Sequence, residues 1–140
     1  MTDIQKNSIA ARRCVELFNQ KNIKYWVETC YAEKAEWIEL PRPTTPKGQH
    51  GDRELLIRAH EQTLRFLPDR EMEILNLIAQ DDKVVLEIDW KGTTGEAFGS
   101  LPAGSTLHYC IATFLTFLDG LIIKEIDYCV PIQTENNNLS

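Results

Sequence analysis

The segment TLHYCIATFLTFLDGLIIKEIDYCVP, residues 106–131, decides the fold class. Two long runs rich in β-branched and aromatic residues flank Asp119-Gly120, a dipeptide that strongly favours a tight β-hairpin turn. A second hairpin is predicted upstream, where EMEILNLIAQ (71–80) and KVVLEIDWKG (83–92) flank Asp81-Asp82. The C-terminal half of the chain therefore predicts four long strands, joined mostly by hairpins.

The N-terminal half is predicted to be mainly helical. Thr2 and Gln5 have the spacing of a capping box and begin a helix that runs to about Asn19. A second helix follows an N-cap at Asn22 and carries an apolar stripe, and a third begins near Asp52. The stripe consists of Ile23, Trp26, Val27, Cys30 and Tyr31. Between the second and third helices lie a strand around Trp37 and a loop, PRPTTPKGQHG (41–51).

Helices gathered early and an antiparallel meander late indicate an α+β fold. A long sheet that is half covered by three helices curls around them, and we expect an apolar cavity between the two layers. Cavities with apolar walls and a few polar groups are the usual ligand sites of proteins.

Composition and charge narrow the possible partners and the location. A chain of 140 residues fits one domain, with a core over about 5–131 and a flexible tail over 132–140. The net charge of −6 argues against nucleic acid and anionic membranes as partners, since both need a basic surface. No apolar run approaches the ~20 residues of a membrane span, and the N-terminus lacks the apolar region of a secretory signal. The four cysteines show no zinc-site spacing, so we expect no metal and reduced thiols in the cytoplasm.

Four stretches, taken in order, resemble a known family. They are WVETCYAEKAEWIELP (26–41), GQHGDRELLIRAH (48–60), VLEIDWKGTTGEAFGSLPAG (85–104) and FLDGLIIKEIDY (117–128). The chain resembles the nuclear transport factor 2-like superfamily and, within it, the SnoaL-like polyketide cyclase branch. The resemblance implies a cone-shaped barrel of three N-terminal helices on a curved, mostly antiparallel sheet, usually dimeric through the sheet. Because such proteins include cyclases, ketosteroid isomerases, epoxide hydrolases and proteins without chemistry, the fold alone does not give the function.

The chain departs from the family pattern at several positions. Val130 stands where the cyclases often have an acid, and Ile126 where a Trp often precedes the Asp-Tyr pair. Thr94 replaces a frequent His in the Gly-Thr tract. In the isomerases a base Asp lies just before the proline of the first strand, where this chain has Leu40, and a shift of one residue would make Glu39 the equivalent acid.

Three residues are candidates for acid–base chemistry, which needs a proton-transferring carboxylate or His and a donor for an enolate oxygen. Glu39 is a buried acid if the face of Trp37 looks into the cone, and a solvated edge-strand acid if it does not. His108 is either a proton shuttle or a structural residue. Tyr128 is either a donor to an oxyanion or an aromatic wall, while Asp127 points inward only if a bulge turns it.

Six residues are predicted to form the wall of the binding pocket. Trp90 belongs to the apolar face of its strand, opposite Glu87 and Asp89, and serves either as pocket wall or as core. The full set is Trp26, Trp37, Trp90, Phe114, Ile126 and Val130. The leading hypothesis is a homodimeric, cofactor-free cyclase or isomerase acting on a hydrophobic cyclic or polyketide-like compound. The alternative is a ligand-binding or protein-association module of the same fold without turnover.

Overall fold

The computed structural model describes residues 1–132. The elements are α1 (Asp3–Asn19), α2 (Ile23–Cys30), β1 (Tyr31–Glu39), β2 (Gln49–Gly51), α3 (Arg53–Phe66), β3 (Glu71–Gln80), β4 (Lys83–Thr93), β5 (Thr106–Leu118) and β6 (Leu121–Pro131). The predicted order of helices and long strands is confirmed. The predicted flexible tail falls almost entirely on 133–140, outside the described residues.

Six strands form one open, curved, mixed sheet in the order β2-β1-β6-β5-β4-β3. All neighbouring pairs are antiparallel except β1 and β6, which run parallel. The three helices pack on one face of this sheet, with α1 against β3 and β4 and α3 against β1. The predicted α+β fold of three helices on a curved, mostly antiparallel sheet is thus confirmed.

Each helix begins at its predicted cap. Thr2 and Gln5 form both hydrogen bonds of the capping box on α1. The side chain of Asn22 accepts a bond from the backbone N–H of Tyr25, and Asp52 does the same for Leu55. Two local predictions were wrong: Tyr31 begins β1 instead of ending α2, and the loop after Pro41 contains the short strand β2.

The β5–β6 hairpin turns at Asp119-Gly120, whose φ angles of 52° and 80° are both positive. Positive φ at both central residues defines the type I′ turn, whose twist matches that of the flanking strands. The β3–β4 hairpin likewise turns at Asp81-Asp82, with Gln80 paired to Lys83. Both predicted hairpins are confirmed.

A β-bulge in β6 decides which residues of that strand face the helices. Phe117 pairs with Ile122, but Thr116 pairs with Lys124, so Ile123 is an extra residue without an opposite partner. An inserted residue exchanges the two faces of everything beyond it. A regular hairpin would set Thr113 opposite Ile126, whereas the bulge sets it opposite Asp127.

Candidate functional site

A cavity of about 80 Å³ lies between the helices and the inner face of the sheet. It is lined by aromatic and aliphatic side chains, together with three carboxyl groups, two arginines and one histidine. An outer groove of about 440 Å³ adjoins it and shares part of its wall. The shared residues are Arg42, Gln49, Ala59, Thr63 and Trp90. A compound that enters through the groove therefore reaches the cavity past Arg42 and Trp90.

Asp127 is buried on the cavity wall by the bulge in β6. Its Oδ2 accepts a hydrogen bond of 2.9 Å from Nε1 of Trp37, and its Oδ1 accepts one of 2.9 Å from the hydroxyl of Thr113. These two hydrogen bonds fix the orientation of the carboxyl group. Asp127 is thus an oriented acceptor on the wall of the cavity.

Glu125 lies two residues before Asp127 on the same face of β6 and also lines the cavity. Its carboxyl group accepts a hydrogen bond from the hydroxyl of Tyr31. Burial raises the pKa of Glu125 well above its usual value, and the negative charge of Asp127 raises it further. The wall therefore holds two neighbouring carboxyl groups, of which Glu125 is driven toward the protonated form.

Glu39 is the third carboxyl group of the cavity. It is buried, and its Oε1 accepts a bond of 3.1 Å from Nε of Arg42 and one of 3.4 Å from the amide of Gln49. The face of Trp37 looks into the cone, so of the two alternatives the buried acid is observed. The strand is not an edge strand, because β1 lies between β2 and β6.

A histidine and an arginine complete the polar part of the wall. His60 on α3 packs its ring 5.0 Å from Trp26 and 5.5 Å from Trp37, measured between centroids. Its Nδ1 lies 2.9 Å from Nη1 of Arg70, which follows α3. Burial and the neighbouring charge of Arg70 hold the pKa of His60 well below its usual value.

The structure brings together only part of the predicted site. Glu39, Trp26, Trp37 and Trp90 line the cavity, whereas His108, Tyr128, Phe114, Ile126 and Val130 do not. Tyr128 is 42% exposed and stacks edge-to-face on Phe114, and His108 pairs with Asp89 on the outer side of the sheet. The predicted inward position of these five residues was wrong.

The alternation of inward and outward residues along β5 and β6 explains each misplacement. On β5 the odd-numbered residues, among them Tyr109 and Thr113, face the cavity, so His108 and Phe114 face outward. On β6 the grouping of Ile126, Tyr128 and Val130 on one face was right, but the bulge at Ile123 turns the opposite face inward.

Sequence reasoning did not place several polar residues in the site, among them Asp127, Glu125, His60 and Arg70. For Asp127 the sequence analysis gave only a condition, an inward turn caused by a bulge, and a bulge has no sharp sequence signal. Glu125 shares the face of Asp127 and is turned inward by the same bulge. For His60, the spacing from Leu56 was an available signal: residues four apart share a helix face, and Leu56 is completely buried.

Residues 1–132 contain neither a metal-binding cluster nor a membrane-spanning helix. No group of three or more His, Cys, Asp or Glu side chains in that range is placed to hold a metal ion. None of the helices in the same range has the length and apolar character that a membrane span requires.

The fold and the cavity define a class: an α+β cone of the nuclear transport factor 2-like type with an internal chamber.

Solved structures share the fold. IdmH of Streptomyces antibioticus, a proposed polyketide cyclase, is 21% identical with a TM-score of 0.75, covering 88% of this chain and 91% of its own. A proposed SnoaL-like polyketide cyclase of Jannaschia sp. CCS1 is 17% identical with a TM-score of 0.77, covering 92% and 88%. AclR of Streptomyces galilaeus, a proposed hydroxylase, is 18% identical with a TM-score of 0.76, covering 91% and 76%.

The family follows from the sequence itself. The model of the SnoaL-like polyketide cyclase family matches residues 8–134, and the chain belongs to that family. No protein of curated function matches the chain. At these identities the solved structures establish the fold and leave the reaction to be argued from the cavity.

Proposed function

We propose that this protein is a cofactor-free enzyme of the cyclase or isomerase type. Its substrate is a hydrophobic cyclic or polyketide-like compound, and the reaction transfers a proton at a carbon next to a carbonyl group. The observation that carries the proposal is the pair of inward carboxyl groups on β6, Asp127 and Glu125. Burial drives Glu125 toward the protonated form, so we assign Glu125 as the acid and its neighbour Asp127 as the base.

In this mechanism Asp127 is the base. Its carboxylate removes the proton next to the carbonyl, and Trp37 and Thr113 hold it in place through 2.9 Å hydrogen bonds. Protonated Glu125 supplies the proton that the developing enolate oxygen needs, and Tyr31 keeps the carboxyl group of Glu125 oriented. A hydrophobic substrate that fills the chamber displaces water from it, which strengthens both interactions.

Glu39 is proposed to act at the junction of the cavity and the outer groove. Its carboxylate is already engaged by Arg42 at 3.1 Å and is less available to the substrate, so its share of the rate is smaller. His108 and Tyr128 have no part in this mechanism because both lie on the outer face of the sheet.

Exchange of the α-hydrogens of 1-indanone in D₂O, followed by proton NMR, tests the proposal. The wild-type protein is expected to accelerate exchange catalytically. Glu39→Gln is expected to lower the rate about tenfold. That loss is smaller than the ~10²–10⁴-fold usual when a principal acid–base group is removed. The control is Glu73→Gln, which changes an exposed carboxylate on β3. Exchange no faster than in buffer would contradict the enzymatic proposal, and an unchanged rate in Glu39→Gln would remove that residue from it.

The alternative is a binding module of the same fold without turnover. It is favoured by the fact that every carboxyl group of the cavity already accepts a hydrogen bond from a protein group. A protein that binds cyclic ketones in calorimetry and leaves their α-hydrogens unexchanged would establish this alternative.

We also propose that the protein is a homodimer through the outer face of the sheet. Phe114 and Tyr128 are each 42% exposed and Val130 is 58% exposed, although they lie on the central strands β5 and β6. A contiguous apolar patch at the centre of a sheet is typical of an interface, and a second copy presents the same patch.

Phe114→Glu is therefore expected to dissociate the dimer, weakening self-association at least a hundredfold, because it buries a charge in an apolar contact. Light scattering on a size-exclusion column measures the mass. Leu118→Glu, on an exposed residue at the end of β5, is the matched control. A wild-type protein that is monomeric at high micromolar concentration would contradict the proposal.

The cytoplasm is the proposed location. The free thiols of Cys14, Cys30, Cys110 and Cys129 support it, because reduced cysteines are the rule in that compartment.

A further inference from the structure

Arg70 is a buried cation that has no acidic partner within residues 1–132. Its residue exposure is 1%, and it forms part of the cavity wall. The guanidinium lies 4.4 Å above the ring of Phe18 and donates through Nη1 to His60. Its Nε and Nη2 are buried and have no hydrogen-bond partner among residues 1–132. A buried charged group is normally paired, so this arrangement demands an explanation.

The carboxyl groups of the same cavity do not compensate Arg70. Glu39 pairs with Arg42, Asp127 accepts from Trp37 and Thr113, and Glu125 accepts from Tyr31. No ion pair within residues 1–132 involves Arg70. Burial lowers the pKa of Arg70 to about 10, which still leaves the guanidinium charged at neutral pH.

His60 adds a second donor beside Arg70. A guanidinium can only donate, so Nδ1 of His60 must carry the lone pair and the ring proton must be on Nε2. The positive charge of Arg70 also keeps the imidazole neutral. This corner of the cavity therefore presents N–H groups and positive charge, with no acidic group paired to it.

We propose that Arg70 and His60 bind an anionic oxygen of the ligand. The compound that enters the cavity would then be a ring compound that carries a carboxylate or a ring oxyanion of the enolate or phenolate kind. The ring would pack against Trp26 and Trp37, which flank His60. This inference rests on the proposed small-molecule function and specifies the chemistry of its ligand.

The cavity and the adjoining groove together have room for such a ligand. The chamber of about 80 Å³ is several times the ~10–15 Å³ needed to hold one water molecule. An apolar cavity that binds benzene measures roughly 150 Å³, so a ring with a charged group fills the chamber and extends into the groove. Planar guanidinium groups favour carboxylates because the two N–H bonds of the fork match the two oxygens.

Isothermal titration calorimetry at about pH 8 with four single-ring probes tests the inference. Benzoate and 4-nitrophenolate carry an anionic oxygen, benzyl alcohol is neutral, and benzylamine is cationic. We expect the wild-type protein to bind at least one of the two anions ten or more times more tightly than benzyl alcohol. The anion that binds identifies the group as a carboxylate or a ring oxyanion.

Two variants assign the effect to Arg70. In Arg70→Met the affinity for the anion is expected to fall at least tenfold, while the affinity for benzyl alcohol stays the same. The preference for the anion therefore disappears. Arg70→Lys keeps the charge and is expected to retain part of the preference. Arg65→Met, which removes an exposed arginine that pairs with Glu96, is the matched control. Circular dichroism establishes that each variant is folded.

Several results would overturn the inference. If the wild-type protein bound benzyl alcohol as tightly as both anions, the inference would be overturned without any variant. The cavity would still be a ligand-binding pocket. An anion preference that survives in folded Arg70→Met would also overturn the inference, as would binding of none of the probes. The hydrogen exchange of 1-indanone tests the catalytic proposal separately. Selective anion binding without exchange would support the inference and contradict the proposal that the protein is an enzyme.

Discussion

Asp127→Asn is expected to lower the exchange rate of 1-indanone by about 10²–10⁴-fold, the usual contribution of a general base. The asparagine retains the shape of the side chain and an oxygen that accepts from Trp37 or Thr113, so the fold should survive. What it loses is the ability to take a proton. We expect the calorimetric affinity for a neutral ring compound to change less than threefold, which separates chemistry from binding.

The comparison of three carboxylate variants makes this prediction specific. Glu39→Gln removes a carboxylate of the same cavity that already pairs with Arg42, and Glu73→Gln removes one outside it. The expected order of remaining activity is Glu73→Gln, then Glu39→Gln, then Asp127→Asn. If Glu39→Gln proved more damaging than Asp127→Asn, the base would have to be reassigned to β1.

Glu125→Gln is expected to make the folded protein more stable at neutral and alkaline pH. The raised pKa of Glu125 means that the native state holds a proton that the unfolded state has released. Between the unfolded value of 4.5 and the raised folded value the native state binds more protons, so stability falls as pH rises. The contribution of this group is fully present below pH 4.5 and is lost as the pH passes the folded value.

Glutamine imitates the protonated acid at every pH, because it has an oxygen to accept from Tyr31 and an N–H to donate. Each unit of pKa displacement is worth about 1.4 kcal/mol, and 1 kcal/mol corresponds to about 2–8 °C in melting temperature for domains of this size range. We therefore expect the variant to melt several degrees higher at pH 8 and within a degree of the wild type at pH 4. Thermal unfolding by circular dichroism measures the difference.

Glu73→Gln provides the control for this experiment, since its exposed carboxylate should shift the melting temperature little at either pH. A variant of Glu125 that is less stable than the wild type at pH 8 would show that the carboxyl group is charged and stabilised in the native protein. The assignment of Glu125 as the acid partner would then fail, whatever the effect of Asp127→Asn.

The fold could be predicted from local chemistry because each boundary has a strong short-range cause. Capping side chains at Thr2, Asn22 and Asp52 fix the helix starts, and Asp119-Gly120 fixes the last hairpin. The three-residue strand β2 escaped prediction because its pairing depends on β1, across a proline-rich loop, and not on its own composition. Parallel pairing of β1 with β6 likewise joins distant segments.

The site was predicted less well than the fold for one main reason. A single inserted residue, Ile123, exchanges the inner and outer faces of β6, and alternation alone cannot show such an insertion. Tyr128 and Val130 were therefore placed inside, whereas Asp127 occupies that position. On β1, which has no bulge between Glu36 and Glu39, the same alternation placed Trp37 and Glu39 together on one face.

The distribution of tryptophan gives the protein a built-in optical reporter. The chain has three tryptophans, Trp26, Trp37 and Trp90, and all three line the one cavity. Its tryptophan fluorescence therefore comes from the walls of the chamber. A compound that fills the chamber should change that emission, whereas one that binds on the outer face of the sheet should leave it nearly unchanged. The unlabelled protein can thus screen compounds for its own ligand.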